Sequence, residues 1–135
     1  MVAPPIGLNG TGFPVLTAGG PGQVALGYLG DSGGDTWNGY LTVISDAFSP
    51  MPLMTTVQVN AWGDPLDTTA DCGFNRCGGF GDFNDIIIDQ YGRAWFGLAH
   101  NVGGEIGIFG TMTIGPSLRG NGTLTELPPG GPGTL

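Results

Sequence analysis

Glycine and proline interrupt this chain of 135 residues so often that no long α-helix fits into it. The sequence contains 28 Gly and 11 Pro. No window of about 11 or more residues keeps an apolar period of 3.6 without one of them inside it. Both residues disfavour helix interiors, Pro by about 3 kcal/mol. We therefore expect an all-β chain that forms one domain at this length.

Short apolar runs separated by turn residues predict strands along the whole chain. The last run, Glu105–Ile114, alternates apolar and other residues, as a half-buried strand does. Gln23–Gly30 and Arg93–His100 are nearly continuous apolar runs, which is typical of strands buried on both faces. The complete set of predicted strands is Gly12–Thr17, Gln23–Gly30, Asn38–Ser45, Leu53–Asn60, Asp85–Asp89, Arg93–His100 and Glu105–Ile114.

The chain also repeats internally. Phe13–Asp31 aligns without a gap with Phe83–Asn101, at an offset of 70 residues. Reducing the offset to 68 aligns the next strand, Gly39-Tyr40-Leu41 with Gly107-Ile108-Phe109. Each unit reads as strand, Gly turn, buried strand, loop and long strand, and the first unit adds a fourth strand. A four-stranded antiparallel unit that repeats radially is a propeller blade, so we predict about two propeller-type blades.

One stretch carries a family resemblance. Gly81–Ala94 combines a Gly-Asp-Phe strand with an Asp…Gly-Arg turn after a loop with two cysteines. It resembles the sialidase-like β-propellers with BNR, or Asp-box, repeats. Gly34-Asp35-Thr36-Trp37 keeps the second half of the box Ser-x-Asp-x-Gly-x-Thr-Trp, with Ser32 in place of its Asp. The resemblance covers roughly residues 13–115 and implies the blade fold.

The resemblance does not extend to the catalytic residues of the family. Its catalytic sialidases hold the substrate carboxylate with three arginines, use a Tyr–Glu nucleophile pair and an acidic Asp, and have six blades. This chain has three arginines in unrelated contexts and about two blades. Only the fold is implied, because a fold does not carry a function by itself.

We divide the chain into an N-terminal arm (1–12), two blade-like repeats (13–62 and 83–120), a Cys-containing loop (63–82) and a Pro/Gly-rich tail (121–135). Two blades do not close a ring, and their open ends expose strand edges and apolar faces. We expect partner blades. They can come from a longer chain, from copies in a closed ring, or from polymerisation through strand edges.

The charge balance excludes several partners. The net charge is −8, with three arginines and no lysine. No cluster of basic residues could neutralise a run of phosphates, so we expect no nucleic acid and no attraction to an anionic membrane surface. No apolar run approaches the ~20 residues that span a bilayer, so we expect no membrane insertion.

The cysteines lie in Cys72-Gly-Phe-Asn-Arg-Cys77. Two Cys and one His cannot close a four-ligand zinc site without a partner chain. A local disulfide between Cys72 and Cys77 is the favoured interpretation, with free thiols and a metal site as alternatives. A disulfide indicates an oxidising compartment. The start of the chain has no secretory signal, so we expect a mature or excised piece of an extracellular or cell-surface protein, with a cytosolic chain as the alternative.

The densest acidic cluster is Asp82, Asp85 and Asp89. Three interpretations stay open: a calcium site built from oxygen ligands, a hydrolytic carboxylate pair, and turn aspartates that bind local N–H groups. Calcium is the one cofactor that the sequence suggests. His100, the single histidine, reads as a hydrogen-bonded strand-end residue.

Trp62, Asp82 and Tyr91 are the candidates for binding a sugar, by stacking and hydrogen bonding. The alternative for Trp62 is packing between blades, with Trp37 and Trp95 in the blade core. The sequence predicts a non-enzymatic, extracellular structural or self-assembling protein built on sialidase-like blades. The alternative is part of a sialidase-like glycoside hydrolase or a glycan-binding propeller.

Overall fold

A computed structural model of the chain describes residues 7–66, 84–100 and 106–124. These residues form strands and turns without any helix, so the all-β prediction is confirmed for them. The strands are β1 (Gly10–Ala18), β2 (Val24–Asp31), β3 (Trp37–Ile44), β4 (Met54–Gln58), β5 (Asp85–Ile88), β6 (Ala94–His100), β7 (Ile106–Thr111), β8 (Gly115–Pro116) and β9 (Thr123–Leu124). Within the described ranges there is no helix of the length and apolarity needed to cross a membrane.

The strands form three antiparallel sheets. β1 to β4 make a four-stranded sheet in chain order, β5 to β7 a three-stranded sheet in chain order, and β8 pairs with β9. Each of the seven predicted strands overlaps the corresponding strand from β1 to β7. The propeller arrangement and the number of blades stay predictions.

The two larger sheets share one pairing register, as the internal repeat requires. Leu16 pairs with Leu26 across β1 and β2, and at the offset of 70 Ile86 pairs with Phe96 across β5 and β6. Gly27 pairs with Leu41, and its counterpart Gly97 pairs with Phe109. The repeat found in the sequence is therefore a repeat of backbone pairing as well.

The core lies between one face of each larger sheet. Glycines bring the two faces together: a Cβ at Gly27 would overlap the Phe96 ring, and one at Gly39 would overlap Leu98. Phe96 is fully buried as a result. The buried apolar residues of this core are Ala25, Leu29, Leu41, Val43, Leu66, Ile86, Ile88, Ala94, Phe96, Leu98, Met112 and Leu118.

The repeats stack face to back. Gly27 points into the core, whereas its counterpart Gly97 lies under the Phe109 ring on the outer face. Phe96 fills the core, whereas its counterpart Leu26 pairs with Leu16 on the outer face of the four-stranded sheet. Corresponding positions of the two units therefore lie on opposite faces. A position that faces the core in one unit faces outward in the other.

Burial on both faces is confirmed for one of the two predicted strands. From Gly27 to Gly30, β2 is buried without interruption. In β6 burial alternates: Phe96 and Leu98 are buried, while Trp95 is half-buried. The prediction for β6 was wrong because, among the described residues, the outer face of its sheet, with Phe109 and Ile87 exposed, lacks the cover that Tyr40 gives to Tyr28 and Gly30 on the outer face of β2.

Residues 117–122 tie the two larger sheets together at one end. The Gln23 amide donates to the carbonyls of Ser117 (3.1 Å) and Gly120 (2.7 Å). The Arg119 guanidinium donates to the carbonyls of Ile88 (3.1 Å) and Asp89 (2.8 Å). The turn before β2 and the turn after β5 are thus joined through one loop.

Candidate functional site

The segment that follows β4 is fixed by one buried side chain. The side-chain oxygen Oδ1 of Asn60 accepts the Gly39 N–H at 2.8 Å. Its amide group donates to Asn38 Oδ1 at 2.8 Å and to the Asp64 carbonyl at 2.8 Å. A second contact, from Leu66 N–H to the Trp37 carbonyl at 2.8 Å, closes the segment back onto β3. Residues 60–66 are therefore held against the four-stranded sheet at both ends.

Trp62 stands on this segment with 93% of its surface exposed. Trp62 therefore does not pack between the two sheets of its own chain, and packing against blades of a partner stays a prediction. The other large aromatic residues of the prediction lie differently. Trp37 packs partly buried against the core, and Trp95 donates its indole N–H to Asp89.

Trp62 borders a cleft of about 280 Å³ on the four-stranded sheet. We call it the Trp62 cleft. Its aromatic and polar lining is Ser32, Thr36, Asn38, Tyr40, Gln58 and Trp62.

Hydrogen bonds hold the polar groups of the Trp62 cleft in place. Ser32 Oγ donates to the Thr36 carbonyl (3.0 Å) and accepts from the Asn38 amide (3.3 Å). The Gln58 amide donates to the carbonyls of Asn60 (3.1 Å) and Ala61 (3.3 Å). No charged side chain is among the described residues that line the cleft.

The Tyr40 phenol stays neutral in this cleft. Burial raises its pKa, a hydrogen bond with Asn38 lowers it by less, and the neighbouring Tyr28 raises it further. The Tyr40 ring stacks on Tyr28 with centroids 5.7 Å apart. A protonated phenol both donates and accepts a hydrogen bond.

A second cavity, of about 380 Å³, lies on the other side of the same segment and includes Asn60, Asp64, His100 and Phe109 in its lining. His100 is buried at the end of β6. Its Nε2 is 3.3 Å from Asp64 Oδ2 and 3.4 Å from the Asp64 carbonyl. This geometry agrees with the predicted hydrogen-bonded residue at a strand end.

The predicted sugar-binding residues do not form one site. Tyr91 lies in the turn before β6, with its ring 5.9 Å from the Arg93 guanidinium. The far end of β6 reaches Asp64 beside Trp62, and seven strand residues span about 20 Å. Tyr91 is therefore at the opposite end of the strand from Trp62. Asp82 lies outside the described residues.

The predicted calcium ligands are separated as well. Asp85 is the first residue of β5 and Asp89 follows its last residue, about 13 Å away along the strand direction, and Asp82 is not described. Asp85 Oδ1 accepts the Ile86 N–H at 2.8 Å. In the ranges that the structure covers, no three metal-ligating side chains come together. Calcium binding stays a prediction.

Asp89 organises the turn between β5 and β6. Its Oδ1 accepts the N–H groups of Tyr91 (2.8 Å) and Arg93 (2.9 Å), and its Oδ2 accepts the Trp95 indole N–H (2.9 Å). Burial raises the pKa of Asp89, but these hydrogen bonds and the nearby Arg93 charge outweigh it, so the pKa lies below its usual value. Asp89 is thus a turn aspartate that binds local N–H groups, which was one of the three interpretations of the acidic cluster.

Cys72 and Cys77, with the disulfide predicted between them, lie outside the described residues. So do most of the Cys-containing loop, most of the tail and the first six residues of the N-terminal arm.

The outer face of the three-stranded sheet is apolar. Phe109 is 76% exposed and Ile87 is 56% exposed, and the half-buried Trp95 pairs with Ile87 across the strands. A groove of about 250 Å³ runs beside the Phe109 ring, past Gly97, Ala99 and Asp85. We call this surface, formed by Ile87, Trp95, Gly97, Ala99 and Phe109, the Phe109 face.

The polar residues of the Trp62 cleft, namely Ser32, Thr36, Asn38, Tyr40 and Gln58, were not predicted from the sequence. Tyr40 and Gln58 are direct partners across β3 and β4. Alternation along β4 places Gln58 on the same face as Thr56, so the predicted hairpin held a usable signal. Comparison of the chain with protein-family models, with curated proteins and with solved structures gave no match. The sialidase-like resemblance therefore stays a prediction.

Proposed function

We propose that this chain is a non-enzymatic structural protein that assembles with further copies of itself. The observation that carries the proposal is the exposed Phe109 face. In the internal repeat this face corresponds to the face of the four-stranded sheet that the second unit covers. The proposal keeps the predicted extracellular or cell-surface location.

The equivalence of the two faces supports a second copy as the partner. Gly27 receives the Phe96 ring within the chain, and Gly97 occupies the same register position on the Phe109 face. The matching donor surface is the β1 side of the outer face of the four-stranded sheet. There Leu16 is 64% exposed and pairs with the half-buried Leu26, the counterpart of Phe96. Tyr28 and Thr42 are buried further along that face, which confines the donor to the β1 side.

The surface chemistry favours association. A monomeric soluble protein rarely exposes a large contiguous apolar patch. Asp85 is the one charged residue among the described residues that line the groove beside Phe109. The contact proposed here uses sheet faces, while the edge strands β1, β4, β5 and β7 keep the predicted edge pairing available as a second mode.

Light scattering after size exclusion tests the proposal on the full chain. We expect a particle whose mass is a multiple of 13.8 kDa, and we expect Phe109→Asp to reduce it to the monomer because the charge must be buried in the contact. Phe48→Asp is the matched control, since Phe48 is also exposed but lies in the loop after β3. A monodisperse wild-type monomer, or an unchanged mass for Phe109→Asp, would refute the proposal.

A further inference from the structure

We propose that the Trp62 cleft binds a neutral carbohydrate. This site is separate from the Phe109 face and does not depend on assembly. It joins a nearly fully exposed indole to hydroxyl and carboxamide groups on one sheet surface.

The exposure of Trp62 is the first argument. A Trp side chain normally buries a large apolar area, so an indole that is 93% exposed leaves that stabilisation unused in the free protein. The segment that carries it is not loose, because Asn60 bonds both to β3 and to the Asp64 carbonyl. The backbone that carries the indole is thus held in place before binding, and this lowers the entropic cost of binding.

The polar lining is the second argument. Each sugar hydroxyl both donates and accepts hydrogen bonds, and the cleft offers groups of both kinds. The Tyr40 phenol is neutral, and Gln58 uses its N–H groups on two carbonyls. Within the described chain, no hydrogen bond to the side-chain oxygen Oε1 of Gln58 is formed, so this acceptor is available. An apolar plane beside such groups matches a sugar ring, which has a C–H face and a polar rim.

The charged residues around the Trp62 cleft favour a neutral ligand. The described arginines, Arg93 and Arg119, lie at the opposite end of β6 from the cleft. The charged residues next to the lining in the sequence are acidic: Asp31 precedes Ser32, Asp35 precedes Thr36, and Asp64 follows Gly63. Among the described residues, a carboxylated or phosphorylated sugar would meet repulsion from these carboxylates and no cationic partner at the cleft. The cleft therefore selects against the sialylated ligands that the family resemblance would suggest. Its volume of about 280 Å³ is near the lower bound for small-molecule sites and suits a short stretch of glycan.

A glycan array probed with the full-length assembled protein tests the proposal. The array carries neutral gluco-, xylo-, manno-, galacto- and chito-oligosaccharides beside sialylated and sulfated ones, and the best neutral binder is then titrated by calorimetry. We expect binding within the neutral set. Trp62→Ala is expected to weaken it at least tenfold, which corresponds to about 1.4 kcal/mol.

Two comparisons make the result specific. Tyr91→Ala is the matched control, because Tyr91 is an exposed aromatic residue at the other end of the sheet, and its affinity should stay within twofold of wild type. Trp62→Ala should also keep the melting temperature and the particle mass of wild type. The proposal is overturned if no neutral oligosaccharide binds, if Trp62→Ala binds as well as wild type, if a sialylated glycan binds more tightly than its neutral parent, or if Trp62→Ala lowers the particle mass.

Discussion

At Gly27 the two large sheets approach so closely that a methyl group has no room. Gly27→Ala would force the added Cβ into the fully buried Phe96 ring. We expect the free energy of unfolding to fall by about 1–3 kcal/mol, the usual cost of overpacking a core. Denaturant unfolding followed by tryptophan fluorescence measures this change.

Gly107→Ala is the control for Gly27→Ala. Gly107 lies in β7, and a Cβ there would have no atom within 4 Å. Its substitution should leave stability unchanged or raise it by several tenths of a kcal/mol, through the lower entropy of the unfolded chain. Equal losses for the two variants would show that the close approach at Gly27 does not limit packing.

The Asp89 carboxylate makes the free energy of unfolding depend on pH in the acidic range. Its pKa in the folded chain is below the unfolded value, so it stabilises the fold fully above about pH 3.9, and this contribution is lost as the pH falls through the folded pKa. Asp89→Ala should lower the free energy of unfolding at pH 7 by about 1–3 kcal/mol, because three donors lose their acceptor. It should also flatten the acid limb of the stability curve. Urea unfolding between pH 7 and pH 2 measures both effects.

Asp46→Ala separates this effect from that of a turn aspartate in general. Asp46 accepts one backbone N–H, from Leu53, on an exposed loop. We expect a smaller loss at pH 7, because one donor loses its acceptor instead of three. Equal losses at pH 7 for the two variants would show that the three donors to Asp89 contribute no more than a single turn hydrogen bond.

Trp62 marks the limit of prediction at single residues. Trp62 comes two residues after the fourth predicted strand, Leu53–Asn60, and in the structure it lies beyond the end of β4. Its exposure depends on where Asn60 anchors that loop, and this contact crosses 21 residues to Gly39. A contact between distant residues leaves no local pattern, so the sequence could not separate stacking from packing.

Among the strands, periodicity succeeded where the runs were long. Glu105–Ile114 was predicted from its alternation, and β7 spans Ile106–Thr111 inside it. β8 and β9 were missed because two residues cannot show a period. They exist because residues 117–122 are tied to the rest of the chain, by the Gln23 side chain and by the side chain of their own Arg119.

The hairpin of β8 and β9 should therefore depend on Gln23. Gln23→Glu keeps the shape but sets an acceptor against the Ser117 and Gly120 carbonyls. We expect hydrogen-exchange protection in residues 117–124 to fall at least tenfold and the free energy of unfolding to fall by about 1–3 kcal/mol. Gln90→Glu, on an exposed turn, is the control and should change neither. Protection that persists in Gln23→Glu would contradict this assignment.

For the molecule as a whole, the repeat was readable and its stacking was not. Matching glycines and apolar residues gave the offsets of 70 and 68, and the pairing register follows them. The sequence pattern is the same on either face of a strand such as Gln23–Gly30, where nearly every residue is apolar. It therefore could not tell that the second unit contributes Phe96 to the core where the first unit contributes Gly27.

Face-to-back stacking predicts complementation between two variants. Phe109→Asp removes the acceptor surface and keeps Leu16, whereas Leu16→Asp removes the donor surface and keeps Phe109. Each variant alone should be monomeric, and an equimolar mixture should form a heterodimer that grows no further. Light scattering of the mixture measures its mass. If the contact instead pairs two Phe109 faces, Leu16→Asp assembles as wild type does, and the face-to-back mode is wrong.

The shared register also bears on descent. A duplicated gene yields two units with the same strand pairing, and before the duplication the covered face could be satisfied only by a separate molecule. If the two units arose by duplication, the Gly27–Phe96 contact would have joined two separate molecules before they became one chain. The Phe109 face is then the same ancestral surface one copy further along, and a later duplication could close it in the same way.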